Sequence, residues 1–345
     1  MKRYICDHHR FHEFIVKLGF QPSEYDVCLY ISKENEIVIQ SLKAITSLKK
    51  KFSSEFEMKD LKEVKNFLGL NIQYDREEGL IGINQKACIE AVFERFGMKD
   101  CKSSSIPMDP CLKLEKGDHK HATSKPYREL IGCLIYLTVT SRPDICAAVS
   151  YYASFQCCAT EEHWVHLKRV LRYLRGTTAY QLMFQRKEAE QLVVFADADW
   201  GNDPNDRKSV SGLVIKLYGQ TVVWSTKKQK SVVLSSTKAE LMALCQASRE
   251  AMWIRNLLKT IKRDIMDPVT VFEDNQSCIS ILSDPRKLKR MKHIEVQHCF
   301  VKELIERNRL ILKYIPTDEQ PADMMTKGLP APRFQKFRNI IGVIN

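Results

Sequence analysis

The hydrophobic spacing of this chain changes after Gly176, and that change constrains its fold more than any other feature. Just before it the apolar residues recur at helical spacing. Beyond it come three short strand-like runs, Leu192–Ala196, Leu213–Leu217 and Thr221–Trp224, close enough in sequence to form a meander. A long amphipathic helix is expected from Lys238 to Ile261, with Leu241, Leu244, Ser248, Ala251 and Leu258 on its buried side. A strand (Val269–Phe272), a short helix (Gln276–Leu282), a basic segment (Arg286–Lys292), a helix to Glu306, a strand (Leu310–Ile315) and a last helix entered at Pro321 follow. That order predicts a mixed α/β domain with a five-stranded sheet over residues 190–330, a boundary between Arg175 and Gln191, and a tail over 331–345.

The preceding region reads as mainly helical. Helices are expected over Phe11–Leu18, Ser47–Phe52, Asp60–Phe67, Gln85–Phe96, Tyr127–Thr140 and Glu161–Arg175, with another starting at Pro143. Strand-like runs occupy Val27–Ser32 and Glu36–Gln40, and Gly69–Gln73 with Gly79–Asn84 reads as a hairpin. In Gln85–Phe96 the residues expected to face inward are Ala87, Ala91, Val92 and Phe96. Lys102–Lys125 has no period and reads as a linker or long loop. In Glu161–Arg175 one side carries Trp164, Leu167, Leu171 and Leu174. The other carries Lys168, Arg169, Arg172 and Arg175, which can either follow a phosphate backbone or simply meet solvent.

A chain of 345 residues is long enough for more than one domain, and 54 Lys and Arg against 42 Asp and Glu give a net charge of +12, which favours a polyanionic partner. No run of 18 apolar residues is present, and Met1–Arg10 lacks the apolar core of a signal peptide, so no membrane span is expected and the location expected is cytosol or nucleus. The 12 cysteines are scattered, which fits reduced core thiols. Cys157, Cys158, His163 and His166 carry zinc-ligand chemistry, but adjacent cysteines chelate poorly, and helix packing is expected of this group instead.

Four acids stand where a strand ends or a helix begins: Asp197, Glu240, Asp274 and Asp323. Brought to one sheet edge they would repel one another unless cations bridged them, and Mg2+, hard and oxygen-seeking, is the natural choice, with Mn2+ as the alternative. Each acid also has a local explanation. Thr237 with Glu240 fits a capping box, Asp274 and Asn275 can cap the next helix, Asp323 follows Pro321 in a first turn, and Asp197 can simply end a strand. Spacing alone does not choose between these readings.

The surrounding residues do carry a resemblance. Phe195-Ala-Asp197-Ala-Asp199-Trp200-Gly201, Asp206-Arg207-Lys208-Ser209, Ser235-Ser236-Thr237-Lys238-Ala239-Glu240, Glu273-Asp274-Asn275-Gln276-Ser277, Lys292-His293-Ile294 and Ala322-Asp323-Met324-Met325-Thr326-Lys327 stand in the order seen in the RNase H domain of copia-type retrotransposon polyproteins. The resemblance implies that Asp197, in preference to Asp199, together with Glu240, Asp274 and Asp323, holds two metal ions. It implies hydrolysis of the RNA strand of an RNA–DNA hybrid. For such a nuclease Arg207, Lys227, Lys228 and Lys230, with Arg172 and Arg175 of the basic helix, are candidate phosphate contacts. A full-length reverse transcriptase is a further candidate partner.

Upstream, Phe56-Glu57-Met58-Lys59-Asp60-Leu61, Asn66-Phe67-Leu68-Gly69, Tyr127-Arg128-Glu129-Leu130-Ile131-Gly132 and Thr140-Ser141-Arg142-Pro143-Asp144 resemble the end of the reverse transcriptase and the region joining it to RNase H. On this likeness residues 1–46 are a truncated palm remnant, 47–186 a reverse-transcriptase C-terminal and connection-like region, and 190–330 the RNase H-like domain. One departure matters. The Tyr-x-Asp-Asp turn expected soon after Glu36–Gln40 is missing, and no adjacent aspartate pair occurs anywhere in the chain. Polymerase activity is therefore not expected, and the chain reads as a fragment or decayed copy. Besides a nuclease, an inactive nucleic-acid-binding remnant and a host interaction protein that keeps only the fold remain open at this point. In the loop before the last acid, 315–320, there is no histidine, and His293 reads as structural.

Overall fold

The computed structural model describes residues 2–26, 29–32, 42–118, 122–185, 191–261, 268–283 and 295–345. The expected strand Glu36–Gln40, the basic segment Arg286–Lys292 and His293 lie outside the described residues. The chain divides into two compact units, residues 1–64 with 250–266, and residues 65–249 with 267–345.

In the first unit, α1 (Lys2–Lys17), the antiparallel pair β1 (Phe20–Pro22) and β2 (Tyr30–Ser32), and α2 (Leu42–Glu55) surround an aromatic cluster. Phe11 stacks on Phe52 with centroids 5.9 Å apart, and Phe14 meets Phe56 edge-on at 5.3 Å. The helix expected over Asp60–Phe67 does not form. Asp60 Oδ1 accepts the Lys62 backbone N–H at 2.8 Å in a local turn, and Lys62 sits at φ 63°, where a helix cannot continue.

The second unit contains two sheets. The first is formed by β3 (Asn66–Phe67), β4 (Leu70–Asp75), β5 (Leu80–Asn84), β6 (Gln181–Gln185) and the last strand of the chain, β12 (Val343–Ile344), in the order β12-β6-β5-β4-β3. Between β5 and β6 lie α3 (Lys86–Arg95), α4 (Tyr127–Thr140), α5 (Cys146–Ala153) and α6 (Glu161–Gly176). The hairpin and these helices stand where the sequence pattern puts them. In α3 the inward residues are Ile89, Val92 and Phe93, whereas Ala87 and Ala91 are exposed. The long loop 102–118 is packed against the helices through buried Ile106, Met108 and Leu114.

The second sheet is built from β7 (Leu192–Asp199), β8 (Val210–Leu217), β9 (Gln220–Lys228), β10 (Val269–Glu273) and β11 (Leu310–Tyr314), in the order β11-β10-β7-β8-β9. The first three form the expected antiparallel meander, and β10 runs parallel to both β7 and β11. With residues 236–249 of α7 (Ser236–Thr260), α8 (Gln276–Ser283), α9 (Glu295–Glu306) and a 3-10 turn at Pro321–Met325, this is a mixed α/β arrangement on a five-stranded sheet. Residues 331–345, expected as a tail, instead form α10 (Ala331–Ile340) and β12, which pairs with β6. One buried apolar cluster joins Leu130, Leu167 and Tyr173 of the helices to Val214, Met324 and Phe337.

The Ser141-Arg142-Pro143-Asp144 stretch explains part of this packing. Arg142 is fully buried, and its guanidinium donates to both oxygens of Asp144 (2.9 and 2.7 Å) and to Thr177 at the end of α6. The Tyr173 hydroxyl donates to Asp144 at 2.7 Å. The charges are thus paired and hydrogen-bonded together, the condition under which buried ions persist.

Candidate metal centre

Register places the first two acids. Phe195 of β7 lies opposite Phe272 of β10, and their rings stack at 5.2 Å. Side chains two residues apart on a strand share a face, so Asp197 and Asp274 emerge side by side from these parallel strands. Asp323 arrives from a different direction. Its 3-10 turn lies against β8 at Gly212, the residue opposite Asp197. A Cβ at Gly212 would stand 2.6 Å from Thr326 Cγ2, 2.8 Å from Met325 Cβ and 2.9 Å from the Ala322 carbonyl oxygen, so only the bare backbone admits the turn this closely. Gln320 fastens the turn by donating to the Ala196 carbonyl at 2.9 Å.

These supports bring carboxylate oxygens of Asp197, Asp274 and Asp323 within 4.8 Å of one another. A second group, Glu240, Glu273 and Asp274, is equally close, and Asp274 belongs to both. All four sequence candidates therefore meet at one sheet edge, together with a fifth acid that sequence reasoning passed over. Glu273 ends the buried strand β10 on the opposite pleat from Asp274, a position that strict alternation could have singled out.

The local explanations for these acids give way at two positions. At the start of α7 the Ser235 hydroxyl accepts the Lys238 N–H at 3.2 Å, while Glu240 is buried. At α8 the cap is Asn275, whose Oδ1 accepts the Cys278 N–H at 2.9 Å. Asp274 instead accepts the Thr317 hydroxyl at 2.7 Å, and Asp197 the Thr326 hydroxyl at 2.5 Å.

Burial and mutual repulsion dominate the electrostatics. The Glu240 carboxyl is pushed up to about 11, first by burial and then by Glu273, Asp197 and Asp274. Burial also lifts Glu273 well above the usual range, and lifts Asp274 and Asp199. Asp323 is raised to about 7 by burial and Asp197, against the opposing pull of Lys327 and Arg333. Lys327 Nζ lies 3.1 Å from Asp323 Oδ1, and Arg333 donates to Asp323 Oδ2. The Lys327 ammonium is held above its usual range: burial pulls it down, but Asp197 and Asp323 outweigh that. Lys327 is part of the Ala322–Lys327 motif, whereas nothing in the sequence pattern distinguishes Arg333.

The donor set suits a hard divalent cation. All five acids offer oxygen, and Glu240 Oε2 and Glu273 Oε2 are buried with no hydrogen-bond partner. A small cleft beside Asp199, Thr326 and Lys327 is also lined by Met108, Lys113 and Tyr151. Among the basic candidates, Arg207, Lys227 and Lys230 are exposed. Lys228 is held between Asp203 and Asp206, so its charge is already paired. Arg172 and Arg175 are exposed on α6, but Arg172 Nε donates to the Lys102 carbonyl and Arg175 lies over the Phe93 ring. His163 caps α6 through the Thr160 N–H and packs on Phe155 at 4.5 Å.

Residues 5–110 match the family described as reverse transcriptase (RNA-dependent DNA polymerase). A retrovirus-related Pol polyprotein from transposon TNT 1-94 of Nicotiana tabacum is 33% identical over 355 residues, spanning 97% of this chain. An uncharacterised mitochondrial protein of Arabidopsis thaliana is 35% identical over 201 residues, covering 58% of this chain and 82% of that protein. The chain belongs to the copia-type retrotransposon Pol family. This copia-type chain spans 27% of the length of the tobacco polyprotein. A ribonuclease H1 isolated from compost aligns with 40% of the copia-type chain and 94% of its own at 18% identity and a TM-score of 0.32, too loose a likeness to carry an argument. Among the described residues, no helix is long and apolar enough to cross a membrane.

Proposed function

We propose that this copia-type Pol fragment is an RNase H-type endonuclease that hydrolyses the RNA strand of RNA–DNA hybrids with two divalent cations, magnesium in preference to manganese. One observation carries this reading: Asp274 is shared between two groups of oxygen donors, Asp197 with Asp323 on one side and Glu240 with Glu273 on the other. A carboxylate shared in this way can bridge two neighbouring cations. Bound there, such cations supply a more acidic water and neutralise charge on the phosphate being cleaved.

The protein's own residues prepare the site. Thr326 and Thr317 orient Asp197 and Asp274 through hydroxyl donors, and the paired Lys327 and Arg333 fix Asp323. Exposed Arg207, Lys227 and Lys230 provide phosphate contacts. Residues 5–110 match a reverse-transcriptase family but contain no adjacent aspartate pair, so no polymerase chemistry is proposed.

The test is cleavage of a labelled RNA–DNA hybrid with magnesium and with chelator, using the parent and Asp274→Asn. The substitution keeps the size of the side chain but weakens it as a magnesium ligand. Folding and hybrid binding should persist while the magnesium-dependent rate falls roughly a hundredfold or more. A parent that binds hybrid without cutting it would establish an inactive remnant instead.

A further inference from the structure

The three aspartates Asp197, Asp274 and Asp323 are not treated alike. Asp197 and Asp274 receive neutral hydroxyl donors, from Thr326 and Thr317. Asp323 receives two cations: Lys327 Nζ stands 3.1 Å from Oδ1, and the Arg333 guanidinium donates to Oδ2. Asp323 is fully buried while Arg333 and Lys327 are partly exposed, so these charges act on it with only partial screening.

Arg333 is placed for this contact by more than one support. It lies in the first turn of α10, donates also to the Thr317 carbonyl, and stacks over the buried Phe337 ring at 5.3 Å. Its other acidic neighbour, Asp318, is exposed and stands 3.9 Å away. The next turn of α10 is tied to the same loop, because Lys336 Nζ donates to the Asp318 carbonyl at 2.8 Å.

We infer that Arg333 is a positioning residue that acts as a built-in counter-ion for Asp323 and makes the two cation positions unequal. This role presupposes the cation-binding function proposed above. A cation entering among Asp197, Asp274 and Asp323 finds one buried oxygen with no hydrogen-bond partner, Asp323 Oδ1, already 3.1 Å from Lys327 Nζ, and a guanidinium seated on Asp323 Oδ2. A cation entering among Glu240, Glu273 and Asp274 meets two buried oxygens, Glu240 Oε2 and Glu273 Oε2, that have no donor. The Glu240 side fills first, and the Asp323 side fills at higher cation concentration.

Calorimetric titration of the chelator-treated protein with Mg2+, and separately with Mn2+, reads this directly without any turnover. The parent should show a tight and a weak step. Arg333→Gln, which keeps a donor but removes the charge, should tighten the weak step by about tenfold and leave the tight step in place, the scale of one neighbouring charge at a partly screened site. Arg333→Lys, which restores the charge, should return the parent pattern. An unchanged or weakened second step in Arg333→Gln overturns the inference. A parent that takes up no cation overturns the metal reading beneath it, a distinct result. If Arg333→Gln fails to fold, nitrogen NMR of arginine side chains in the parent decides. The guanidinium signal missing from Arg333→Lys should shift during the weak step, and a signal that stays in place throughout the titration refutes the competition.

Discussion

The metal-free protein should lose stability as the pH rises, and Glu240 gives the size of the effect. Its carboxyl titrates near 4.5 in an ordinary setting and is pushed up to about 11 in the folded chain. Between these values the folded state keeps a proton that the unfolded state has released. Stability is therefore fully present below about pH 4.5 and is lost as pH climbs through the window toward 11, at about 1.4 kcal/mol per pH unit for each retained proton. Over the two units from pH 6 to 8, Glu240 alone accounts for roughly 3 kcal/mol. Glu273 shifts in the same direction, and Asp323, raised to about 7, adds to the slope only below that pH. Glu240→Gln cannot ionise, so its decline should be shallower than the parent's by about 3 kcal/mol across that range. Urea denaturation with chelator at pH 6, 7 and 8 measures both slopes. Saturating magnesium should flatten the parent's decline, because cations favour the ionised carboxylates. Parallel lines for parent and variant would refute the reasoning, since they would mean that Glu240 enters the folded state already ionised or already paired.

Two substitutions test the scaffold. Gly212→Ala places a methyl group against Thr326, Met325 and the Ala322 carbonyl, which should cost about 1–3 kcal/mol and displace the turn carrying Asp323. Denaturation midpoint and hybrid cleavage should fall together, and a variant with parental stability and rate would show that the turn has room. Arg142→Met removes the cation from a fully buried pair and leaves Asp144 uncompensated, so a loss of about 3–5 kcal/mol is expected in the same denaturation assay.

Most of the sheet edge that gathers the acids was legible because strand alternation and short connections leave few arrangements for a meander followed by a parallel crossover. The four acids were legible through their motifs, although capping rules gave each an equally good local explanation. What separated the readings was the identity of the caps, Ser235 and Asn275, which a sequence offers beside other candidates without choosing. Glu273 was missed because its neighbour Asp274 absorbed the motif. The helix expected at Asp60–Phe67 lost to a side-chain turn at Asp60, a local contest that hydrophobic spacing does not register. Ala87 and Ala91 were misplaced because alanine fits either face of a helix, whereas Ile89 and Phe93 do not. Lys228 was read as a phosphate contact because the pairing with Asp203 and Asp206 across the loop leaves no trace in spacing. Arg333 lay in a segment read as a tail, where nothing marked a contact with Asp323.

That segment also sets the order in which the chain can finish folding. Val343 pairs with Leu182 and Ile344 with Gln181, so an edge of the β3–β6 sheet is covered by residues synthesised long after the sheet itself. Until the residues around Ile344 have left the ribosome, β6 presents unpaired backbone groups of the kind that invite pairing with another chain. Two strand residues at such long sequence separation close slowly, and a nascent chain waits for them in an exposed state. Ribosome stalling or premature termination upstream of β12 would thus release a product whose acidic centre is fully encoded but whose neighbouring sheet is left open to aggregation.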